Sequence, residues 1–440
     1  MLLRYGCSNY RSISEYQELV FTASENKQEQ SEGLITTDVI REKVLPVAQI
    51  YGANASGKTN LLLALQFLTH QIMFGASSGK IAVPTFKLDQ KYQSVISTFD
   101  IDFICNGKHY YYGFDVLDGE VVEEWLHQTT YGKRKSTITL FHRKNGDEYS
   151  FSKNLKGQNK TVAGITMGDN LFLSVGGQKK HPLLAKIYRY FVMNYNYRSY
   201  VDRSENSLGE SIIENNLQEI ISAFLSRVDI GATEIKVEKI EHDERRREID
   251  KSLKKMLNES MIKLFSEKLP FPDDLDVPRF SYEIKVQRTT IEGTEEEFLF
   301  SEESQGTQAL ISFLVPALYV LKNGGVLYVD EIESSLHTVL TLRLIELFAE
   351  PALNQNGAQL IFSTHDTQLM TYKGVRRESI WLTEKAKDGS TKVTSLMDFA
   401  VDKRSNWQKG YIEGRFGAIP FLGYLDKINF SGEANATEKG

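Results

Sequence analysis

Apolar positions fall along this chain in three rhythms. Near the start, the mostly apolar run Val44 to Tyr51 ends at Gly52, which predicts a buried strand. Leu61 to Phe74 is apolar almost all round, so a helix there belongs between layers rather than at a surface. From Val83 to about Tyr149 the rhythm becomes alternation, as in Ser97-Thr98-Phe99-Asp100-Ile101-Asp102-Phe103. Asn106-Gly107 and Asp118-Gly119 sit at hairpin positions within it, so the region reads as an antiparallel β lobe.

Between about residue 150 and 290 charge increases and helical spacing takes over. Ile212, Ile213, Leu217, Ile220, Ile221, Phe224 and Leu225 predict one amphipathic helix, and Leu253, Met256, Leu257, Met261, Leu264 and Phe265 repeat the pattern. Glu241 to Lys255 reads as a solvated helix or linker. Apolar strands return at Val326–Val329 and Gln359–Ser363, and the small polar tail Ser431 to Gly440 reads as disordered. The expected division is therefore a first core half over 1–75, a β lobe over 76–150 and a mainly helical insertion over 151–297. A second core half follows over 298–400, and a C-terminal segment over 401–440.

Composition narrows the class without choosing a function. The 440 residues are 41% apolar and 25% charged, as in a globular chain with a sizeable core, which excludes collagen-like and wholly disordered readings. Lys plus Arg is 52 and Asp plus Glu is 58, so the net charge of −6 is not the basic field of a nucleic-acid coat. The two cysteines, Cys7 and Cys105, form no CxxC pair and fit a reducing compartment. The first residues lack the apolar core of a secretory signal. The longest oily stretch, Ala309 to Leu321, holds Ser312 and Pro316 and falls short of the ~20 residues of a membrane span. The expectation is a cytoplasmic protein with no membrane partner.

Four short motifs carry chemistry. Gly52-Ala53-Asn54-Ala55-Ser56-Gly57-Lys58-Thr59 fits GxxxxGK[ST] and lies between a predicted strand and a predicted helix. Backbone amides and a helix N-terminus suit a phosphate there; Lys58 reaches its oxygens and Thr59 offers a hydroxyl to Mg²⁺. Gly324-Gly325-Val326-Leu327-Tyr328-Val329-Asp330-Glu331 delivers Asp330 and Glu331 at a strand end. Asp330 suits the metal, and Glu331 is placed to orient or deprotonate water. Gln359 to Asp366 is a third strand that ends in Ser363-Thr364-His365; alone, such a histidine reads as structural, but its order after the other two makes it a γ-phosphate contact. Ser304-Gln305-Gly306-Thr307, before the oily helix Gln308 to Leu321, is either a plain helix cap or a second anion-binding end.

In that order the four motifs resemble ABC-type ATPase heads, over about 1–75 and 298–370. Asp330 to His337 resembles the acidic strand end and dimer-contact loop of that class. Glu303-Ser304-Gln305-Gly306-Thr307 resembles the ES-x-GT signature of stand-alone prokaryotic ATPases from phage-defence operons, not the transporter form. Asn9-Tyr10-Arg11-Ser12 is similar to the N-terminal NF[KR]S strand of SMC-like heads, which lies near the nucleotide, and Asn60 follows the phosphate loop. Asp169-Asn170-Leu171-Phe172-Leu173-Ser174 and Gly414-Arg415-Phe416-Gly417-Ala418-Ile419-Pro420 resemble segments of abortive-infection AbiL-type and PARIS-type ATPases.

The resemblance implies an α/β P-loop head that binds ATP and Mg²⁺ and hydrolyses ATP, with Glu331 and His365 catalytic. It also implies self-association through shared ATP sites and control of a separate toxin or nuclease, with a nucleic acid or phage protein as trigger. An SMC-like DNA-repair or nucleic-acid-processing ATPase is the alternative.

Other patterns read as structure. Pro272-Asp273 with Glu283-Ile284-Lys285 has a PD-(D/E)xK outline, but Ser281 to Val286 alternates as an ordinary strand. Lys133-Arg134-Lys135 and Arg245-Arg246-Arg247 read as solvated faces. Tyr190, Tyr195, Tyr197 and Tyr200, with Arg198 and Arg203 among them, read as packing.

Overall fold

A computed structural model describes residues 1–23, 33–75, 80–132, 134–198, 204–228, 231–242, 280–372, 374–399 and 406–419. Its centre is a six-stranded sheet built from β3 (Val47–Gly52), β9 (Tyr195–Arg198), β13 (Val326–Val329), β14 (Gln359–Ser363), β15 (Ile380–Lys385) and β16 (Thr391–Ser395). Their order is β16-β15-β3-β14-β13-β9, parallel throughout except for β16 at one edge. The apolar runs predicted at β13 and β14 coincide with these strands. They are apolar at consecutive positions because both faces are covered. Ala48, Ile50, Val326, Tyr328 and Ile361 enter one core, while Val47, Leu327, Val329, Leu360 and Phe362 enter the other.

The first core holds α1 (Lys58–Phe74) between the parallel sheet and a seven-stranded antiparallel sheet. Leu61, Leu62, Leu65, Leu68 and Ile72 of α1 are buried there with Phe99, Ile101, Phe103 and Phe114. That is why this helix has no wet stripe in its sequence.

The antiparallel sheet comprises β1 (Leu2–Ser8), β2 (Gln17–Val20), β4 (Ser97–Cys105), β5 (Lys108–Leu117), β6 (Glu120–Tyr131), β7 (Lys135–Lys144) and β8 (Glu148–Phe151). Asn106-Gly107 and Asp118-Gly119 take positive φ at both residues (49° and 69°, 52° and 83°), the geometry of primed hairpin turns. Asn145-Gly146 does the same between β7 and β8. The expected β lobe over 76–150 is not a separate block, because β1 pairs with β4 from Leu2↔Phe103 to Ser8↔Thr98 and brings β2 with it.

The described part of residues 151–297, expected as a mainly helical insertion, combines helices with strands. It contains α2 (Asn159–Ile165), α3 (Phe172–Gln178), α4 (Leu184–Asn194), α5 (Glu205–Glu214) and α6 (Gln218–Leu225). It also supplies β9 to the central sheet and a three-stranded antiparallel sheet of β10 (Glu234–Glu241), β11 (Phe280–Thr289) and β12 (Glu295–Leu299). The amphipathic helix predicted across Ile212 to Leu225 is broken in two. Asn216, at φ 52°, ends α5 with bonds from Leu217 N to Ile212 O (2.9 Å) and from Asn216 N to Ile213 O (3.2 Å), a Schellman stop that side-chain periodicity does not show. The repeat from Leu253 to Phe265 and the tail Ser431–Gly440 lie outside the described residues.

On the far face of the central sheet lie α7 (Gln305–Asn323) and α8 (Thr338–Ala349), and α9 (Trp407–Ile412) packs near the end of the chain. Among the described residues no helix is long and apolar enough to cross a membrane.

Candidate functional site

The C-terminal ends of β3, β14 and β13 lie side by side, and their loops meet at one edge of the sheet. β3 runs into the loop at Gly52, where a Cβ would stand 2.3 Å from Thr383 Oγ1 and 2.5 Å from Ser56 Oγ. Gly57 has φ 111°, and a Cβ there would meet Thr391 Oγ1 at 2.1 Å. Only glycine lets the loop pass so near β15 and β16. The same strands secure it: Ser56 and Thr383 hydroxyls are 2.6 Å apart, and Thr391 Oγ1 donates to Ser56 O at 2.8 Å. Asn54, Ala55 and Thr59 are exposed, and Ala55 takes φ 61°.

Helix α1 starts at Lys58 with no acidic residue in its first turn, which leaves its amide end open to an anion. Lys58 is buried, and its ammonium donates to Gly52 O at 2.9 Å and Ala53 O at 3.2 Å. Burial lowers its pKa, opposed by the nearby carboxylates of Asp330, Glu331 and Glu333. Thr59 Oγ1 donates to Asp330 Oδ1 at 3.2 Å, so loop and acidic strand end are already in contact.

Around Asp330 the chain is tightly bonded. Ser363, the last residue of β14, donates to Asp330 Oδ1 at 2.5 Å and accepts from Glu331 N at 2.8 Å. Glu331 has φ 51° and carries its side chain off the strand, 52% exposed. His365 Nε2 lies 4.0 Å from Glu331 Oε1, and the His365 amide donates to Glu333 Oε1 at 2.6 Å. Burial lowers the His365 pKa and Lys58 adds to that, against the pull of Glu333, Glu331 and Asp330. Beyond His365, Asp366 accepts from Thr338 Oγ1 at 2.5 Å and ties this loop to the start of α8.

The N-terminal residues split in their placement. Ser12 Oγ lies 2.8 Å from Thr391 Oγ1 and accepts from Asn60 Nδ2 at 2.6 Å, so Ser12 and Asn60 support the phosphate loop through Thr391. Arg11, at φ 51°, anchors its amide on Pro84 O at 2.6 Å. Asn9 corrects the expectation of a nucleotide contact. It is 1% exposed, its Nδ2 donates to Tyr92 O and Val95 O, and its Oδ1 accepts from Phe86 N. Both of its amide protons are used and the side chain is enclosed, so it is not presented to a ligand.

Ser304 caps α7, accepting from Thr307 N at 3.1 Å, and is itself exposed. A Cβ on Gly306 would approach Ser335 O to 3.2 Å, so the signature abuts the loop after Asp330. Glu303 is held by Arg288 of β11 at 3.0 and 2.6 Å, which fixes the cap to the three-stranded sheet.

The two segments that resemble AbiL-type and PARIS-type ATPases take part in packing. Asn170 O accepts from Arg143 at 2.6 Å, while Phe172 N and Leu173 N donate to Glu124 at 2.7 and 3.0 Å; Ser174 Oγ donates to Ile72 O at 2.6 Å near the end of α1. Phe416 and Ala418, from the Gly414–Pro420 motif, join Tyr411 in a cluster with Tyr51, which immediately precedes Gly52. Pro420 lies outside the described residues.

Of the nuclease outline only Glu283-Ile284-Lys285 falls within the described residues, and it lies on an ordinary strand of the three-stranded sheet. Tyr282, Ile284 and Val286 are buried on one face of β11, and Lys285 pairs with Glu238 of the neighbouring strand at 2.7 Å and with Glu283 of its own strand at 3.5 Å. Asp273, Lys133, Arg245–Arg247, Tyr200 and Arg203 lie outside the described residues, among which no cluster of three metal-ligating side chains occurs. Tyr190 and Tyr195 are packed, with ring centroids 5.8 Å apart.

Sequence reasoning missed Ser363, Glu333, Thr383, Thr391 and Arg288. Ser363 alone left a signal: it ends an apolar strand two residues before His365.

Residues 47–371 match the profile of a family described as "AAA domain, putative AbiEii toxin, Type IV TA system". No curated protein matches the chain. Among solved structures the chain is similar to one described as the SmcHead bound to the C-winged helix domain of ScpA, at 14% identity and a TM-score of 0.43, over 90% of this chain and 99% of that one.

Proposed function

Because this chain belongs to the family of AAA domains described with a putative AbiEii toxin of a type IV toxin–antitoxin system, we propose that it binds and hydrolyses MgATP. The observation that carries this is the Thr59–Asp330 contact at 3.2 Å, beside the open N-terminus of α1 and the buried Lys58 ammonium. A hydroxyl next to a carboxylate is a hard oxygen donor set and fits Mg²⁺, which keeps several waters and needs few protein ligands. When bound, Mg²⁺ supplies charge neutralisation at the β/γ-phosphates.

Lys58, together with the amides of Gly52–Thr59, binds the phosphates. Thr59 and Asp330 hold the metal. Glu331, on the solvent side of the strand end, accepts the proton of the attacking water. His365 Nε2, 4.0 Å from that carboxylate, hydrogen-bonds the γ-phosphate and holds the water's partner in place.

Ser304 and Gly306 face outward to complete the site of a second head, which makes hydrolysis dependent on self-association. Support for this comes from the exposure of Ser304 at the start of α7. At the level of the cell, the family description and the AbiL- and PARIS-like segments support a sensor or regulator in an anti-phage abortive-infection system that controls a separate toxin or nuclease.

Phosphate release by the purified chain, with and without Mg²⁺, tests the chemistry. Plaque counts on cells carrying the wild-type locus or Lys58→Ala test the biology. Protection that survives Lys58→Ala unchanged removes ATP from the defence role.

A further inference from the structure

Ser363 joins the acidic strand end at three successive residues. Its hydroxyl donates to Asp330 Oδ1 at 2.5 Å and accepts from Glu331 N at 2.8 Å, while its carbonyl accepts from Ile332 N at 3.2 Å. The direction of each side-chain bond is forced. A backbone N–H can only donate and a carboxylate can only accept, so the single serine proton goes to Asp330. Ser363 is fully buried, so water does not replace either contact without cost.

We propose that Ser363 is a positioning residue for the metal carboxylate and the water-activating carboxylate at once. Thr59 and Ser363 both donate to Asp330 Oδ1, which fixes the carboxylate rotamer and leaves Oδ2 with its acceptor capacity intact among the described residues. The next residue, Glu331, stands at φ 51°, a left-handed backbone that costs energy for a residue with a Cβ. The amide bond to Ser363 Oγ is one of the contacts that maintain it. Sheet order makes this available: β14 lies between β3 and β13, and Val329↔Phe362 puts Ser363 opposite Asp330.

This inference rests on the MgATP reading, and the experiment separates the two. Binding of a fluorescent ATP analogue is titrated in EDTA and again against rising Mg²⁺, alongside hydrolysis rates, for wild type, Ser363→Ala and Ser363→Thr. The alanine variant is expected to bind nucleotide as wild type does in EDTA. Its half-saturating Mg²⁺ rises and its turnover falls by roughly 10- to 100-fold, the range for losing a hydrogen bond to a charged group. Threonine, which keeps the hydroxyl, restores both.

Ser363→Cys, close in size but a weak donor, reads the same contact if the alanine variant does not fold. An alanine or cysteine variant with wild-type Mg²⁺ dependence overturns the proposal, as does a threonine variant equally impaired. Wild-type protein that binds no nucleotide with Mg²⁺ overturns the MgATP reading instead.

Discussion

The Lys58 ammonium donates to the Gly52 carbonyl at 2.9 Å, so the phosphate loop is closed on its own lysine. That charge is desolvated, held by two loop carbonyls and faced by the carboxylates of Asp330, Glu331 and Glu333, a position from which a phosphate can take it over. Lys58→Ala is therefore expected to weaken ATP binding at least tenfold, by loss of a charge-assisted bond. Glu331→Gln keeps the side chain's shape and is expected to bind ATP normally while turnover falls ~10²–10⁴-fold, the effect of losing a general base. Equilibrium binding and phosphate release on the same preparations check both. Undiminished hydrolysis in the two variants removes the assignment.

The position of His365 makes a prediction about pH. Burial first, then Lys58, holds its pKa below the ordinary 6.5, so it is neutral at pH 7. A basic group with a lowered folded pKa is protonated more readily in the unfolded chain. Its contribution to stability therefore rises with pH through the window between its folded pKa and 6.5, and is lost as pH falls through that window. Proton NMR of the imidazole should show a midpoint below 6.5 that moves upward in Lys58→Met. A midpoint at or above 6.5 in the wild type contradicts this environment.

Assembly is testable by mixing defects. Ser304 is exposed at the start of α7 and shares its side chain only with Thr307 among the described residues. Ser304→Arg is expected to leave ATP binding intact and to abolish hydrolysis and ATP-dependent association. Adding Lys58→Ala protein, itself inactive, should recover part of the activity, because a mixed pair has one site with both halves sound. A mixture that stays inactive although both proteins fold and associate rules out a shared site.

Glu124 and Arg143 form a fully buried pair at 3.7 Å, with no side-chain exposure on either partner. Burial pushes the Glu124 carboxyl up, against the Arg143 guanidinium and the amides of Leu173 and Phe172. Glu124→Ala leaves Arg143 charged and uncompensated, at a cost of about 3–5 kcal/mol. It also frees the start of α3, whose Ser174 bonds to the end of α1. Urea unfolding should show that loss. A shift below about 1 kcal/mol means the pair does not hold this junction.

Sequence alone determined the pieces whose geometry is local. The phosphate loop, the apolar strands ending at Asp330 and Ser363, and the paired turns at Asn106-Gly107 and Asp118-Gly119 each depend on a dozen residues or fewer. Steric limits on φ and the burial period of two or of 3.6 act within that range. Only tertiary structure decided which of these pieces touch. The sheet order that seats β14 between β3 and β13 brings Ser363 to Asp330, and the β1–β4 register adds the first strands to the antiparallel sheet. It also satisfies Asn9 with backbone partners 77 to 86 residues away, and so removes it from the candidate site. Contacts at such separations follow from strand order and layer packing, which leave no periodicity in the chain, so the strand end at Ser363 is legible there but neither its bond to Asp330 nor the loss of Asn9 is.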